Sequence, residues 1–174
     1  MTYTTRGPIQ VKDEETIAEA VKAIRDDSSQ TDLIVLGYDT EKQNAITLIH
    51  SGGDGFDGMK SYMQPEFMGY ALLRLISGDA ESKRTKFVFV SFSGEKVSLV
   101  KKGKMGTHVS EVNNLLGYSH ISIQASTPAE LDLDSIKATL KKAGGADYDT
   151  GSNKHGYDSN VGSIRKEGAQ AYSQ

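Results

Sequence analysis

Residues 86–92, of sequence Lys-Phe-Val-Phe-Val-Ser-Phe, constrain the fold more than any other segment of the chain. Their aromatic and β-branched side chains predict a strand, and apolar residues occupy both alternating positions near its middle. A strand with two apolar faces must be covered on both sides. The segment therefore predicts the central strand of a sheet that lies between two layers of helices, an α/β fold of the α+β type.

Other periodic segments predict the remaining strands and helices. Short apolar or alternating runs predict strands at residues 33–36, 45–49, 70–76 and 121–124. Apolar residues at helical spacing predict helices at residues 13–27, 57–63, 95–101, 107–116 and 133–143. Thr107 is predicted to be the N-cap of the helix at 107–116, and Gly144 is predicted to end the last one.

The chain of 174 residues has room for one domain and a short extension. Residues 144–174 contain six glycines and few branched aliphatic residues. Such a segment buries too little apolar surface to offset the entropy of ordering it. The sequence therefore predicts a domain at residues 11–143 and a flexible, Gly/Ser-rich C-terminal tail at residues 144–174.

Basic residues are concentrated in one part of a chain whose net charge is −3. Residues 83–104, here called the basic segment, hold one acidic residue and seven basic ones: Lys83, Arg84, Lys86, Lys96, Lys101, Lys102 and Lys104. A cluster of this kind is either a solvated face or a surface that attracts an acidic partner. Nucleic acid is not the expected partner, because the whole chain is acidic and carries no nucleic-acid-binding motif.

Patterns typical of catalysis and of metal binding are missing from the sequence. The glycine-rich residues 52–58 lack the lysine and hydroxyl spacing of a phosphate-binding loop, and the four histidines lack metal-ligand spacing. There is no Gly-x-Ser-x-Gly nucleophile motif and no cysteine. We expect no enzyme activity, cofactor or metal. With no apolar leader and no apolar run long enough to span a membrane, we expect a cytoplasmic protein.

Three segments resemble the coactosin branch of the actin-depolymerising-factor homology (ADF-H) family. They are Ala-Ile-Arg-Asp-Asp-Ser at 23–28, Gly-Asp-Ala-Glu-Ser-Lys-Arg-Thr-Lys-Phe at 78–87, and Leu-Lys-Lys-Ala-Gly-Gly-Ala-Asp-Tyr-Asp at 140–149. The resemblance implies a mixed sheet of five or six strands with helices on both faces. It also implies non-catalytic binding to the side of actin filaments in the actin cytoskeleton.

The resemblance further implies which residues contact actin. Lys86 matches a lysine that is important for filament binding in coactosin-like proteins, and the following basic stretch and helix match an actin-facing surface. The implied actin-binding residues are Lys83, Arg84, Lys86, Lys101, Lys102, Lys104, Thr107, His108 and Glu111. The context of residues 105–108 is less basic than the start of the corresponding helix in severing members of the family, so severing is not expected.

Two alternatives remain open at the level of sequence. One is an actin-monomer-binding or filament-severing factor of the cofilin type, which would use the same residues. The other is an adaptor that binds anionic lipid through the same lysines, and a weak phosphoinositide contact is compatible with either. The protein is expected to be a monomer.

Overall fold

The computed structural model describes residues 1–78 and 81–149, and it gives the backbone alone for 144–149. In this part of the chain the strands are β1 (Tyr3–Arg6), β2 (Ile9–Lys12), β3 (Leu33–Tyr38), β4 (Ala45–Gly52), β5 (Met68–Ser77), β6 (Arg84–Ser93) and β7 (Ile121–Ala125). The helices are α1 (Glu14–Arg25), α2 (Gly55–Tyr62), α3 (Leu99–Leu116) and α4 (Leu133–Asp149), and a 3-10 turn covers Pro128–Glu130.

The strands of the described residues form one mixed sheet in the order β1-β2-β4-β3-β5-β6-β7. The pairs β2–β4 and β6–β7 are parallel, and the other neighbours are antiparallel. The α+β class and the mixed sheet are confirmed. The sheet has seven strands where five or six were expected, because the sequence reading did not include the N-terminal hairpin of β1 and β2.

Strand β6 lies inside the sheet and is covered on both faces, as its sequence predicts. Phe87 and Phe89 belong to the apolar cluster that packs under α1 and α3. Val88 and Val90 point the other way, into the cluster that packs under α2 and α4. The alternation of strand side chains therefore assigns each β6 residue to one of the two helical layers.

The hairpin of β1 and β2 is fixed to the sheet by both apolar and polar contacts. Ile9 and Val11 are fully buried, and β2 pairs with β4. The Tyr3 hydroxyl donates to Asp39 Oδ2 at 2.6 Å, and Lys12 Nζ lies 3.3 Å from Asp39 Oδ1. The apolar-polar alternation of residues 9–12 is a strand signal, whereas the polar sequence of β1 carries none.

Helix α3 is one continuous helix where the sequence reading predicted two. Ser98 is its N-cap and accepts from the Lys101 backbone N–H at 3.3 Å. Thr107, predicted to be an N-cap, lies inside the helix and donates from Oγ1 to the Lys104 carbonyl at 2.7 Å. Met105 and three later residues of one helix face are buried, and this packing outweighs the weak local helix propensity.

Helix α4 continues to Asp149, past the end predicted at Gly144. Residues 150–174 of the predicted tail lie outside the described residues, and the domain boundaries 11–143 stay a prediction. Helix α2 begins at Gly55, so part of the predicted glycine-rich loop is helical.

Arg25 joins the end of α1 to the end of α3. Its Nη2 donates to the carbonyls of Leu116 at 2.9 Å and Tyr118 at 2.6 Å. Its guanidinium carbon lies 4.3 Å from the centre of the Phe87 ring, which is a cation–π distance. The C-terminal end of α3 is therefore held beside the start of β6.

Candidate functional site

The basic residues at the start of β6 lie at the hairpin end formed with β5. Arg84 pairs with Ser77, and Lys86 pairs with Leu75. Lys83 and Arg84 are exposed, while Lys86 is half-buried. Because strand side chains alternate, Lys86 shares the face of Val88, which is the face that α4 covers.

Two lysines of α4 extend this cluster. Lys137 and Lys141 are exposed and lie one helical turn apart. They line a groove of about 580 Å³ together with Arg84 and Lys86, and Leu140 forms part of its apolar floor. Their spacing on one helix face was visible in the sequence, but nothing there indicated that this face meets β6. Lys83, Arg84, Lys86, Lys137 and Lys141 are called the hairpin patch below.

The electrostatic effect of Lys86 is visible on a neighbouring histidine. His120 Nδ1 accepts from the Phe87 backbone N–H at 2.9 Å, and the backbone N–H of His120 donates to the Phe87 carbonyl at 2.8 Å. Burial, reinforced by the positive charges of Lys86 and Arg25, lowers the pKa of His120 to about 4. His120 is therefore a neutral acceptor at neutral pH, and its role is to hold β7 against β6.

A second group of basic residues lies at the start of α3. Lys101 and Lys104 are exposed there, and Lys102 is half-buried. Leu99 is 84% exposed and Val100 is 76% exposed, values that are unusual for side chains of this size. The sequence reading did not include these two apolar residues, although their position between basic residues was a usable signal.

The surface formed by Leu99, Val100, Lys101 and Lys104 is called the helix patch. It begins at Ser98, where the N-terminal backbone groups of α3 add partial positive charge. The sequence reading placed this helix end at Thr107. In the structure the N-cap is Ser98, nine residues earlier. Lys101 and Lys104 therefore lie on the first turns of α3 and do not precede the helix.

His108 was expected to contact actin, and the structure shows that it is an interior residue. It is 4% exposed, and its Nδ1 lies 2.8 Å from the hydroxyl of Tyr38. That hydroxyl lies 2.7 Å from the hydroxyl of Tyr70, which donates to the Met105 carbonyl at 3.4 Å. Burial and the nearby charge of Lys104 lower the pKa of His108. His108 therefore belongs to the packing between α3 and the sheet.

The two other expected contact residues of α3 differ in exposure. Thr107 is exposed, on the same helix as the helix patch. Glu111 is half-buried under the β1–β2 turn, and its side-chain carbons would lie 3.4 Å from a Cβ placed on Gly7. Glu111 is therefore beside the N-terminal hairpin, which the sequence reading did not include in the site.

The structure divides the basic segment into two patches at opposite ends of the sheet. Lys86 is near the start of β6 on the α4 face, and α3 lies on the other face. From Lys86 to Ser93, where β6 ends, the extended chain covers roughly 23 Å. Helix α3 begins shortly after that end and reaches the start of β6 only at Leu116. The hairpin patch and the helix patch therefore cannot form one continuous strip.

Two negative observations concern the described residues only. Within residues 1–78 and 81–149 there is no group of three or more His, Cys, Asp or Glu side chains positioned to hold a metal ion. In the same part of the chain no helix is both long and apolar enough to cross a membrane.

Comparison with known proteins gives a consistent result. The family model of cofilin/tropomyosin-type actin-binding proteins matches residues 9–141. Coactosin from Entamoeba histolytica is 34% identical over 135 residues, which cover 77% of this chain and 90% of that protein. The relative and this chain therefore share most of their length.

Solved structures agree with the sequence comparison. The crystal structure of Entamoeba histolytica coactosin aligns with a TM-score of 0.70 and 29% identity, covering 78% of this chain and 96% of the other. The solution structure of mouse coactosin, described as an actin filament binding protein, aligns with a TM-score of 0.62 and 31% identity, covering 82% and 97%. The similarity thus extends across the sheet and both helical layers.

Proposed function

Since this chain belongs to the family of cofilin/tropomyosin-type actin-binding proteins, we propose that it binds the side of actin filaments and does not sever them. The description of mouse coactosin as a filament-binding protein supports this choice within the family. The protein itself is then an actin-binding protein of the cytoskeleton.

One structural observation carries the filament proposal: the basic residues form two patches at opposite ends of the sheet. A monomer offers a single subunit, whereas the side of a filament offers neighbouring subunits at fixed spacing. Patches separated by roughly 23 Å along β6 suit contact with two subunits at once. A protein that bound monomers alone would need only one of them.

The basic residues of the two patches would contribute differently to filament binding. Lys83 and Arg84 are exposed, and rim charges of this kind mainly set association rates and salt dependence. Lys86 is half-buried beside apolar side chains, so an acidic partner would desolvate it more completely. In the helix patch, Leu99 and Val100 add apolar surface that docking would remove from water.

Co-sedimentation with actin filaments tests the proposal. Lys86→Ala is expected to weaken binding by at least 2 kcal/mol, which is about thirtyfold in Kd. Lys22→Ala is the matched control, because Lys22 is an exposed lysine of α1 in neither patch. If both variants pellet with filaments as the wild type does, Lys86 has no role in binding.

The cofilin-like alternative differs in outcome and not in residues. We propose that filament length stays unchanged on binding, and microscopy of labelled filaments at saturating protein measures it. Progressive shortening would favour a severing factor. Binding to monomers that equals binding to filaments would favour a monomer-binding protein.

Anionic lipid is a second candidate ligand, favoured by one feature of the hairpin patch. Four basic side chains, Arg84, Lys86, Lys137 and Lys141, line a single groove of about 580 Å³. Basic residues near an anionic membrane contribute about 1 kcal/mol each. Flotation with phosphoinositide-containing vesicles in the absence of actin tests this contact, and vesicles of neutral lipid are the control.

We also propose that the protein acts as a non-catalytic monomer in the cytoplasm. Family membership supports the non-catalytic part of this proposal, because binding to the side of actin needs no chemical step. Light scattering coupled to size-exclusion chromatography tests the monomer, with a mass of twice 18.8 kDa as the contrary result.

A further inference from the structure

A second groove lies across the end of the sheet where β3 ends and β5 begins. Its volume is about 770 Å³, within the range of ligand-binding clefts. The walls are the β3–β4 turn on one side and the start of α3 on the other. We call it the sheet-end groove. It is separate from the groove of the hairpin patch, and it shares Lys101 and Lys104 with the helix patch.

The floor of the sheet-end groove is apolar. Ile49 is 44% exposed there, and Phe67, Met68 and Met105 also line it. Gly37 and Gly69 pair directly across β3 and β5, and Phe67 lies against both glycines. A Cβ on Gly69 would come within 2.6 Å of the Phe67 ring. The glycines therefore make room for the ring, and the floor is a packed surface.

The charges around the floor do not cancel. Asp39 is bound by the Tyr3 hydroxyl at 2.6 Å and by Lys12 at 3.3 Å, and these contacts lower the pKa of its carboxyl. Glu66 forms an ion pair with Lys96 at 3.3 Å. The acidic groups of the groove are thus matched by cations.

Lys101 and Lys104, on the α3 wall, form no ion pair with any described residue. The uncompensated charge of the groove is therefore positive.

Part of this arrangement is outside the region that the family model matches. That region begins at residue 9, whereas Tyr3 lies in β1. The hydroxyl of Tyr3 donates to Asp39, which lines the groove, so the N-terminal strand fixes one of the lining side chains.

We propose that the sheet-end groove binds an acidic peptide segment of a partner protein, with one large apolar side chain of the peptide seated on Ile49, Phe67 and Met68. Carboxylates of the peptide pair with Lys101 and Lys104. An apolar floor with a cationic wall excludes basic peptides by repulsion, and it gives purely acidic peptides no buried anchor. Because the groove shares Lys101 and Lys104 with the helix patch, such a peptide and a filament would compete for these two lysines.

Fluorescence anisotropy without actin tests the proposal. The probe is a fluorescein-labelled peptide, Gly-Asp-Glu-Phe-Glu-Asp-Gly, titrated with the full chain at about 0.15 M salt, where charges more than about 8 Å apart are largely screened. Lys101→Ala/Lys104→Ala is expected to weaken binding about tenfold or more, because two charge pairs are lost. Lys102→Ala removes the same charge from the same helix outside the groove and is expected to change Kd less than about twofold.

Two further measurements distinguish binding of the peptide in the groove from general charge attraction. A probe with serine in place of phenylalanine is expected to bind about tenfold more weakly, since the buried aromatic ring is lost. Backbone amide shifts on peptide addition should concentrate at residues 37–49, 66–69 and 96–105. Equal loss in the Lys102 variant, equal binding of the serine probe, or shifts confined to residues 84–86 would each overturn the proposal. None of these results bears on filament co-sedimentation.

Discussion

His108 was expected to contact actin, and the packing of α3 places it in the interior. It lies at helical spacing between Met105 and Val112, which are both buried. That spacing predicts a buried position, whereas the resemblance implies a contact with actin. The side chain packs between α3 and the sheet and contacts the Tyr38 hydroxyl. Any effect of His108 on actin binding would therefore be indirect.

His108→Ala is expected to lower the free energy of unfolding by about 2–3 kcal/mol, because it leaves a cavity and removes the partner of a buried tyrosine hydroxyl. Thr107→Ala is the neighbouring control, since Thr107 is exposed, and it should cost less than about 0.5 kcal/mol. Urea unfolding measures both. A His108 variant with wild-type stability and lost filament binding would restore the surface role.

His120 gives a prediction about pH. Its pKa is about 4 in the folded protein and about 6.5 when unfolded, so protons bind preferentially to the unfolded chain. The stabilisation by neutral His120 is complete above pH 6.5 and is lost as the pH falls toward 4. His120→Asn keeps an acceptor for the Phe87 N–H but does not titrate.

The free energy of unfolding of the wild type should therefore fall relative to the His120→Asn variant between pH 6.5 and 4. We expect a relative loss of about 1–2 kcal/mol, allowing for the partial exposure of the ring. Urea unfolding at several pH values measures this difference. Parallel pH curves for the two proteins would contradict the assigned pKa.

At the scale of elements, α3 shows both what the sequence predicts and where local rules fail. Val109, Val112 and Leu116 were correctly assigned to a helix, whereas Met105 lies in the gap predicted between two helices. Gly103 and Gly106 in that gap have low helix propensity, yet α3 is continuous through them. Packing of the buried face against the sheet makes α3 one continuous helix. The periodicity of a short stretch of sequence does not reveal this packing.

Substituting the glycines of α3 by alanine tests whether this segment is one continuous helix. A Cβ on Gly103 or Gly106 would meet nothing within 4 Å, so Gly103→Ala and Gly106→Ala should each stabilise the protein by about 0.5–1 kcal/mol. Gly117 ends the helix with φ of +91°, and a Cβ there would lie 3.1 Å from Arg25 Nη2. Gly117→Ala should therefore destabilise by about 1–2 kcal/mol.

Thermal or urea unfolding shows whether each substitution raises or lowers the free energy of unfolding. Opposite signs for the interior and terminal glycines would support a continuous α3. If Gly103→Ala and Gly106→Ala were both destabilising, a helix break between residues 101 and 107 would be the better description. The measurement needs no actin and so tests the element alone.

At the scale of the whole molecule, the sequence predicted a sheet between two layers of helices because residues 86–92 require cover on both faces, and because five strands carry clear apolar patterns. It did not predict the N-terminal hairpin, whose first strand is polar and is held by contacts with β2 and Asp39. Nor could it separate Lys86 from Lys101, since closeness along the chain does not report which end of a sheet a residue occupies. The actin-binding residues therefore stay a prediction, and the structure adds that they do not lie on one continuous strip.

The separation of the patches makes a prediction about additivity. Lys86→Ala and Lys101→Ala/Lys104→Ala lie far beyond the distance at which substitutions couple, so their effects on filament affinity should add within about 0.5 kcal/mol in the combined variant. If each patch contacts a different subunit, both variants weaken binding to filaments, and only one of them weakens binding to monomers. Co-sedimentation and a monomer-binding assay at the same ionic strength supply the four comparisons. Strong non-additivity, or equal losses of both variants on monomers, would mean that one subunit contacts both patches, and two-subunit docking would then be wrong.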